Sequence, residues 1–217
     1  MQPIFVSGIG TGVGKTLAAA IVTESLDAFY WKPVQAGFEE GTDAGWVGDR
    51  ISHAEERVFP EAYMLSMAAS PHIASREEGI DIDLAKIARQ FGRLRALSDR
   101  PIVIEGAGGL LVPLNDREFI PDLIRRLDAL VILVSRNYLG SINHSLLTAA
   151  VCRSQGLTVA GWIFNDQYLQ YEEEIVRWSG FPSIGSIPFT PDPQAAFVRE
   201  QAARLRPALI AALGLPG

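Results

Sequence analysis

The sequence predicts a doubly wound, mostly parallel α/β sheet with helices on both faces, and three observations carry that expectation. Short, wholly apolar runs such as Ile102-Val103-Ile104 and Ala129 to Val134 alternate with segments whose apolar residues recur at helical spacing. Such runs belong to strands covered on both faces. A glycine-rich stretch, Gly8 to Thr16, lies between the apolar run Ile4-Phe5-Val6 and a helical pattern that begins at Leu17. Lys32, Glu105, Asn165 and Pro188 each stand just after an apolar run, and in a doubly wound sheet ligands gather at the carboxyl ends of the strands.

The first strand therefore covers Ile4 to Val6, and the first helix follows the glycine-rich turn. Ala28 to Trp31 is the next apolar run, leading into Lys32-Pro33-Val34-Gln35-Ala36-Gly37. Phe38 to Gly45, rich in Gly, Asp and Glu, reads as loop, with a short helix expected from about Trp46 to Arg57. Ala62 to Gly79 has no clear period and reads as a long loop containing Ser70-Pro71-His72; loops of that length in compact domains are usually functional. Leu84, Ile87, Ala88, Phe91, Leu94 and Leu97 mark a helix. The strand Ile102 to Ile104 ends in Glu105-Gly106-Ala107-Gly108-Gly109, and Leu110 to Leu114 reads as a small hairpin-like excursion. A helix around Phe119 to Leu127, a strand from Ala129 to Val134 and a helix opening at Ser141 follow. Thr158 to Phe164 is a strand, Tyr171 to Ser179 a helix, Ile184 to Ile187 a strand and Pro193 to Leu213 a terminal helix.

The 217 residues suffice for one sizeable core, so a single nucleotide-binding α/β domain over 1–217 is the simplest organisation. A net charge of −6 argues against broad nucleic-acid binding. The single Cys152 forms no internal disulfide and fits a reducing compartment. Neither a signal peptide nor a bilayer-spanning run is visible, so no membrane association and a cytoplasmic location are expected.

The glycine-rich stretch has the make-up of a phosphate cradle. Glycines let successive N–H groups face phosphate oxygens, and the helix start adds unpaired donors and the positive end of its dipole. Lys15 is placed to reach the outer phosphates and the Thr16 hydroxyl to hold Mg2+. The loop is a variant: Ile9 stands where the usual pattern has its first glycine, and Gly8 lies one residue too early. Glu105, after a buried strand, is a candidate Mg2+ carboxylate. Asp49 is the candidate for the second, and a solvated acid on a helix is an equal reading of it. Lys32 is suited to neutralise a transferring phosphoryl group or an anionic substrate, or else snorkels from a strand end. His72 and His144 read as hydrogen-bonding residues, and His53 as a solvated residue of a charged helix. Three scattered histidines and one cysteine make no zinc site.

Taken together, Thr11-Gly12-Val13-Gly14-Lys15-Thr16, Lys32-Pro33-Val34, Ser70-Pro71-His72, Glu105 to Gly109, Asn143-His144, Gly161-Trp162, Asn165-Asp166 and Ile187-Pro188 resemble the dethiobiotin synthetases, of the P-loop NTPase superfamily. The motifs keep the family's order over nearly the whole chain. The resemblance implies an ATP-dependent ligase that takes CO2 (as bicarbonate in solution), ATP and 7,8-diaminopelargonate to dethiobiotin in biotin biosynthesis. It implies Lys15, Lys32 and Thr11 as catalytic residues, and Thr16, Asp49 and Glu105 as Mg2+ ligands. Asp49 is placed there by its distance from Lys32. Gly12, Val13, Gly14, Gly108, Asn165, Asp166 and Pro188 are implied at the nucleotide, with Asn165 reading the adenine edge. Lys32, Gly108, Ser141 and Asn143 are implied at the substrate, whose carboxylate tail reaches the helix start near Gly140 across a homodimer interface.

Two departures stand out: Gly12 where many members are acidic, and Ala36 where many carry Ser or Thr. Two other readings stay open. A synthetase subunit of the cobyrinate amide-forming kind would need a separate glutaminase partner. A nucleotide switch of the partition or septum-site type would carry a signature lysine where this chain has Gly10.

Overall fold

The structure, a computed structural model, describes residues 1–97, 99–166 and 168–216. In chain order its first half comprises β1 (Ile4–Gly8), α1 (Lys15–Ser25), β2 (Phe29–Trp31), β3 (Val34–Ala36), α2 (Asp43–Gly48), α3 (Ala54–Arg57), β4 (Val58–Phe59), β5 (Tyr63–Leu65), α4 (Pro71–Glu77) and α5 (Leu84–Arg95). The second half comprises β6 (Ile102–Gly109), α6 (Ile120–Arg126), β7 (Leu130–Arg136), α7 (Ser141–Ser154), β8 (Val159–Asn165), α8 (Glu172–Ser179), β9 (Ser183–Ile187) and α9 (Ala195–Leu213). Seven strands form one sheet in the order β4-β2-β6-β1-β7-β8-β9, and every pairing in it is parallel. β3 and β5 pair parallel as a separate two-stranded ribbon.

Alternation along each strand divides the core in two. Phe5, Trp31, Ile104, Leu133, Trp162 and Phe164 face one side and pack with Ile87 of α5, Leu123 of α6, Ala149 of α7 and Ile175 of α8. Val6, Tyr30, Val103, Ile132 and Ile163 face the other, against Ile21 of α1, Val47 of α2 and Leu205 of α9. Each such fully buried large side chain contributes roughly 1.5–3 kcal/mol, which explains why the strands read as continuous apolar runs.

The expected helix from Trp46 to Arg57 is corrected. The Thr42 hydroxyl accepts from Gly45 N at 2.9 Å and starts α2 at Asp43, and α2 ends at Gly48. His53 then adopts a left-handed φ of 54° before α3, so it caps a turn rather than lying within a helix. The break lets the buried Arg57 guanidinium donate to the carbonyls of Thr23, Ala28 and Ser52 at 2.6, 2.9 and 2.8 Å, tying the end of α1 to the start of β2. The expected loop from Ala62 to Gly79 contains β5 and α4.

Candidate active site

β1 ends at Gly8, and Ile9 N donates to Val134 O at 3.1 Å, which fixes the glycine-rich loop to β7. The loop closes at Gly14, whose φ of 89° is left-handed and suits glycine. A Cβ there would also lie 2.0 Å from Asn165 Nδ2. α1 begins with no side-chain cap, so its first amides remain free for an anion. Lys15 Nζ donates to Gly10 O at 2.8 Å and so arches over the loop.

Three charged side chains converge beside it. Lys32, after β2, contacts Asp43 Oδ2 and, at 3.2 Å, Glu105 Oε1. Thr16 Oγ1 lies 2.8 Å from Asp43 Oδ1 and 2.9 Å from Glu105 Oε1. Glu105 is 1% exposed and takes the Tyr30 hydroxyl on Oε2 at 2.7 Å. Gln35 sets Asp43 from the other side, accepting from Asp43 N at 3.3 Å while donating to Gly37 O at 2.7 Å.

The electrostatics follow from that packing. Burial lowers the Lys15 ammonium to about 8, with Glu105 opposing the shift and Lys32 adding to it. Burial would lower Lys32 as well, but Glu105 and Asp43 outweigh it and leave Lys32 above its usual value. Asp43 is held below the usual carboxylate range: burial pushes it up, and Lys32 and the Thr16 hydroxyl together outweigh that. Burial and then the Glu105 charge drive the Tyr30 phenol well above its ordinary range.

Asp43 and the expected Asp49 are placed differently toward these groups. Asp49 is an exposed residue at the end of α2, whereas Asp43 opens that helix and reaches Thr16 and Lys32. Placing the acid by distance from Lys32 assumes the length of the segment between β3 and α2, and α2 begins at Asp43 rather than at the expected Trp46. The Thr42 cap before Asp43 was the available signal. Tyr30 and Gln35 were also missed, because an aromatic in a strand and a glutamine beside one carry no chemical signature.

Thr16 Oγ1, Asp43 Oδ1 and Glu105 Oε1 form a set of oxygen donors within hydrogen-bond reach of the hydroxyl. One hydroxyl proton cannot satisfy both carboxylates at once, and Mg2+ takes oxygen ligands completed by water and phosphate. The donor set fits that ion. Among the described residues no group of three or more His, Cys, Asp or Glu is placed to hold a metal; Thr16 adds a third oxygen beside the two carboxylates.

A cavity of about 740 Å³ opens over these groups and is also lined by Thr11, Gly12, Ala36 and Gly108. Gly108 has φ 65°, and a Cβ on it would meet Val112 at 2.7 Å. A second cavity, about 760 Å³, shares Thr11 and Gly12 and continues past Val13 to Arg136, Asp166 and Phe189. Asn165 Nδ2 donates to Val13 O at 3.1 Å, so this amide braces the loop. Asp166 approaches Arg136 at 3.6 Å, and Pro188 is half-buried just after β9. Ser141 is buried and Asn143 exposed at the start of α7, and neither lines the cavity around Lys15 and Lys32. His72 Nδ1 pairs with Ser70 Oγ at 3.0 Å and His144 Nδ1 with Tyr138 OH at 2.6 Å, both hydrogen-bonding roles. Cys152 is buried in α7, its thiol pushed up to about 12 by that burial.

A parallel sheet whose central strand runs through a glycine-rich turn into a helix, with a lysine and a carboxylate pair on the same rim, defines a P-loop nucleotide-dependent enzyme. A family model described as an AAA domain matches residues 2–196. The ATP-dependent dethiobiotin synthetase of Cytophaga hutchinsonii is 47% identical over 176 residues, covering 81% of this chain and 82% of that protein. Those of Christiangramia forsetii and Bradyrhizobium sp. are 42% and 44% identical, over 93% and 88% of this chain and 95% and 89% of theirs. The chain belongs to the dethiobiotin synthetase family. Among solved structures, the MinC:MinD complex of Aquifex aeolicus aligns with TM-score 0.62 over 100% of this chain and 97% of its own. A ParA family ATPase of Chlorobium tepidum aligns with TM-score 0.58 over 99% of this chain and 100% of its own. Both are 14% identical and share the fold alone.

Proposed function

We propose that this protein closes the ureido ring of dethiobiotin from 7,8-diaminopelargonate, CO2 and ATP. The observation that carries this reading is Lys32, held by Asp43 and Glu105 on the rim of the phosphate-loop cavity, in a chain 40–47% identical to proteins named ATP-dependent dethiobiotin synthetase.

One amine of the diamine adds to CO2, losing a proton and giving a carbamate. A carbamate oxygen then attacks the γ-phosphorus of ATP; the bond to ADP breaks and a carbamic–phosphoric anhydride forms. The second amine attacks the anhydride carbon, phosphate leaves with the C–O bond electrons and takes up the proton that the amine loses, and the ring is closed. Lys15 and the free amides of α1 bind the transferring phosphoryl oxygens, and Lys32 binds both the carbamate and the γ-phosphate. Both act by position and charge, which is what a loose phosphoryl transition state needs. Mg2+, when held by Thr16, Asp43 and Glu105, supplies charge neutralisation on the phosphates. Thr11, Gly12, Val13, Gly14 and Gly108 line the path of the nucleotide and substrate.

The second cavity receives the nucleoside, with Asn165, Asp166 and Pro188 around the base. Ser141 and Asn143 serve the substrate carboxylate in a homodimer, at a helix start suited to an anion. The chain acts as a single domain in the cytoplasm; among the described residues no helix is long and apolar enough to cross a membrane.

Purified protein with ATP, Mg2+, bicarbonate and the diamine tests the reading. Ring-closed product by mass spectrometry, matched by phosphate release, is expected. ATP hydrolysis indifferent to the diamine, with no ureido product, removes it.

A further inference from the structure

Tyr30 is the middle residue of β2 and lies on the α1 face of the sheet, in the same cluster as Val6 and Val103. The register pairs Tyr30 with Val103, so Glu105, two residues further along β6, projects on the same face. The ring is closed to solvent, and its hydroxyl donates to Glu105 Oε2 at 2.7 Å. The two carboxylate oxygens are thus divided. Oε2 points inward to Tyr30, and Oε1 points outward to Thr16 and Lys32 at 2.9 and 3.2 Å. A carboxylate is planar, so holding one oxygen fixes the other.

We propose that Tyr30 is a positioning residue for this carboxylate: its hydroxyl anchors Oε2 so that Oε1 is presented to Thr16 and to the divalent cation. The inference rests on the metal reading above. A phenol suits the task because it donates without adding charge. A cationic donor at the same place would neutralise Glu105 and weaken its hold on a metal. An aliphatic side chain would leave Oε2 facing apolar groups with no donor, and the carboxylate would turn toward whatever donor it could find.

Tyr30→Phe removes the hydroxyl and keeps the ring. Binding of Mn2+ together with ADP, followed by electron paramagnetic resonance without diamine or turnover, is the direct measurement. Loss of a hydrogen-bond partner behind a metal-binding carboxylate costs about 10–100-fold in metal affinity, and that rise in the Mn2+ dissociation constant is expected. In turnover assays the half-saturating Mg2+ concentration rises in parallel, and excess Mg2+ restores much of kcat. Val103→Ala, which removes packing beside Tyr30 but no hydrogen bond, lowers the melting temperature and leaves Mn2+ affinity unchanged. A Tyr30→Phe protein with wild-type Mn2+ affinity overturns the inference while leaving the site reading intact, whereas a wild-type protein that binds no Mn2+ with ADP overturns both. Should Tyr30→Phe be unfolded at room temperature, the same Mn2+ titration is run in the cold with saturating ADP, which stabilises the folded state. Wild-type Mn2+ affinity there overturns the inference as well.

Discussion

Lys32→Met is the sharpest test of the charged rim, because it removes the ammonium and keeps most of the stem. Lys32 is 5% exposed and contacts two carboxylates, of which Glu105 is 1% exposed and the Asp43 side chain 30% exposed. Removing one partner of a buried pair costs about 3–5 kcal/mol. Asp43 is partly open to water and Lys15 remains nearby, so the lower end applies, about 3 kcal/mol. At roughly 2–4 °C per kcal/mol for a chain of this size, the melting temperature falls by about 6–12 °C. Catalysis suffers separately. Loss of a donor aimed at charge that develops in the transition state costs about 3 kcal/mol, on the order of 10²-fold in kcat. The KM for ATP should rise as well, since Lys32 also holds the γ-phosphate before transfer, so kcat/KM falls further than kcat. Product formation by mass spectrometry below the lowered melting temperature separates the two effects. Near-wild-type kcat in a destabilised protein would show that Lys32 is a structural counter-ion and nothing more.

Asp43→Ala should lose on the order of 10²-fold in kcat/KM and raise the Mg2+ requirement, whereas Asp49→Ala stays within about 0.5 kcal/mol of wild-type stability with unchanged steady-state kinetics; the opposite pattern would restore Asp49 to the site. Gly14→Ala forces a left-handed φ of 89° on a residue whose Cβ would lie 2.0 Å from Asn165 Nδ2. Strain of about 1–3 kcal/mol should weaken ADP binding about 5- to 150-fold, measured by calorimetry. Lys15 sits at about 8 when folded against an ordinary value of 10.5. Between those values the unfolded chain holds the extra proton, so this group's contribution to stability rises with pH from about 8 to 10.5, and its burial penalty is fully present below 8. A triphosphate draws that proton back, so ATP binding at pH 8 should take up about half a proton, read from calorimetry in two buffers of different ionisation enthalpy; zero uptake contradicts the lowered value.

The strands buried on both faces were legible from their apolar centres: Ile102 to Ile104 falls within β6, and all of the expected run Ala129 to Val134 except Ala129 falls within β7. The helix from Leu84 was legible for the same reason, its buried Leu84, Ile87, Phe91 and Leu94 recurring with the helical period. Elements too short to show a period were not. β3 and β5 are three residues each, and their pairing depends on where the chain returns rather than on local pattern. Glu105 and Lys32 were found because a charge at the end of an apolar run needs a reason. Asp43 stands in a polar loop where one acid looks like another, and its selection comes from the start of α2. Tyr30 was hidden by its ring: a strand residue that fills core gives no hint of where its hydroxyl reaches, which is set by the β2–β6 register.

The order of the strands gives a physical reason for the two cavities. β1 lies between β6 and β7, and the chain leaves it to build β2 on one side and later β7, β8 and β9 on the other. The glycine-rich loop therefore stands astride the point where the sheet changes direction, and splits the rim. Lys32, Asp43 and Glu105 come from the β2–β6 side, where Lys32 and Glu105 are buried, Asp43 is half-buried and Lys32 pairs with both acids. Arg136 ends β7, Asp166 and Phe189 follow β8 and β9, and together they line a wall with a loose ion pair and an exposed aromatic. A triphosphate demands cations and a metal, and a base demands flat apolar surface with few polar contacts. The orientation we propose meets both demands: phosphates toward Lys32, nucleoside toward Phe189. The Gly12 departure lies in both cavity walls, so an acidic side chain missing there removes negative charge from the place where the phosphates must pass.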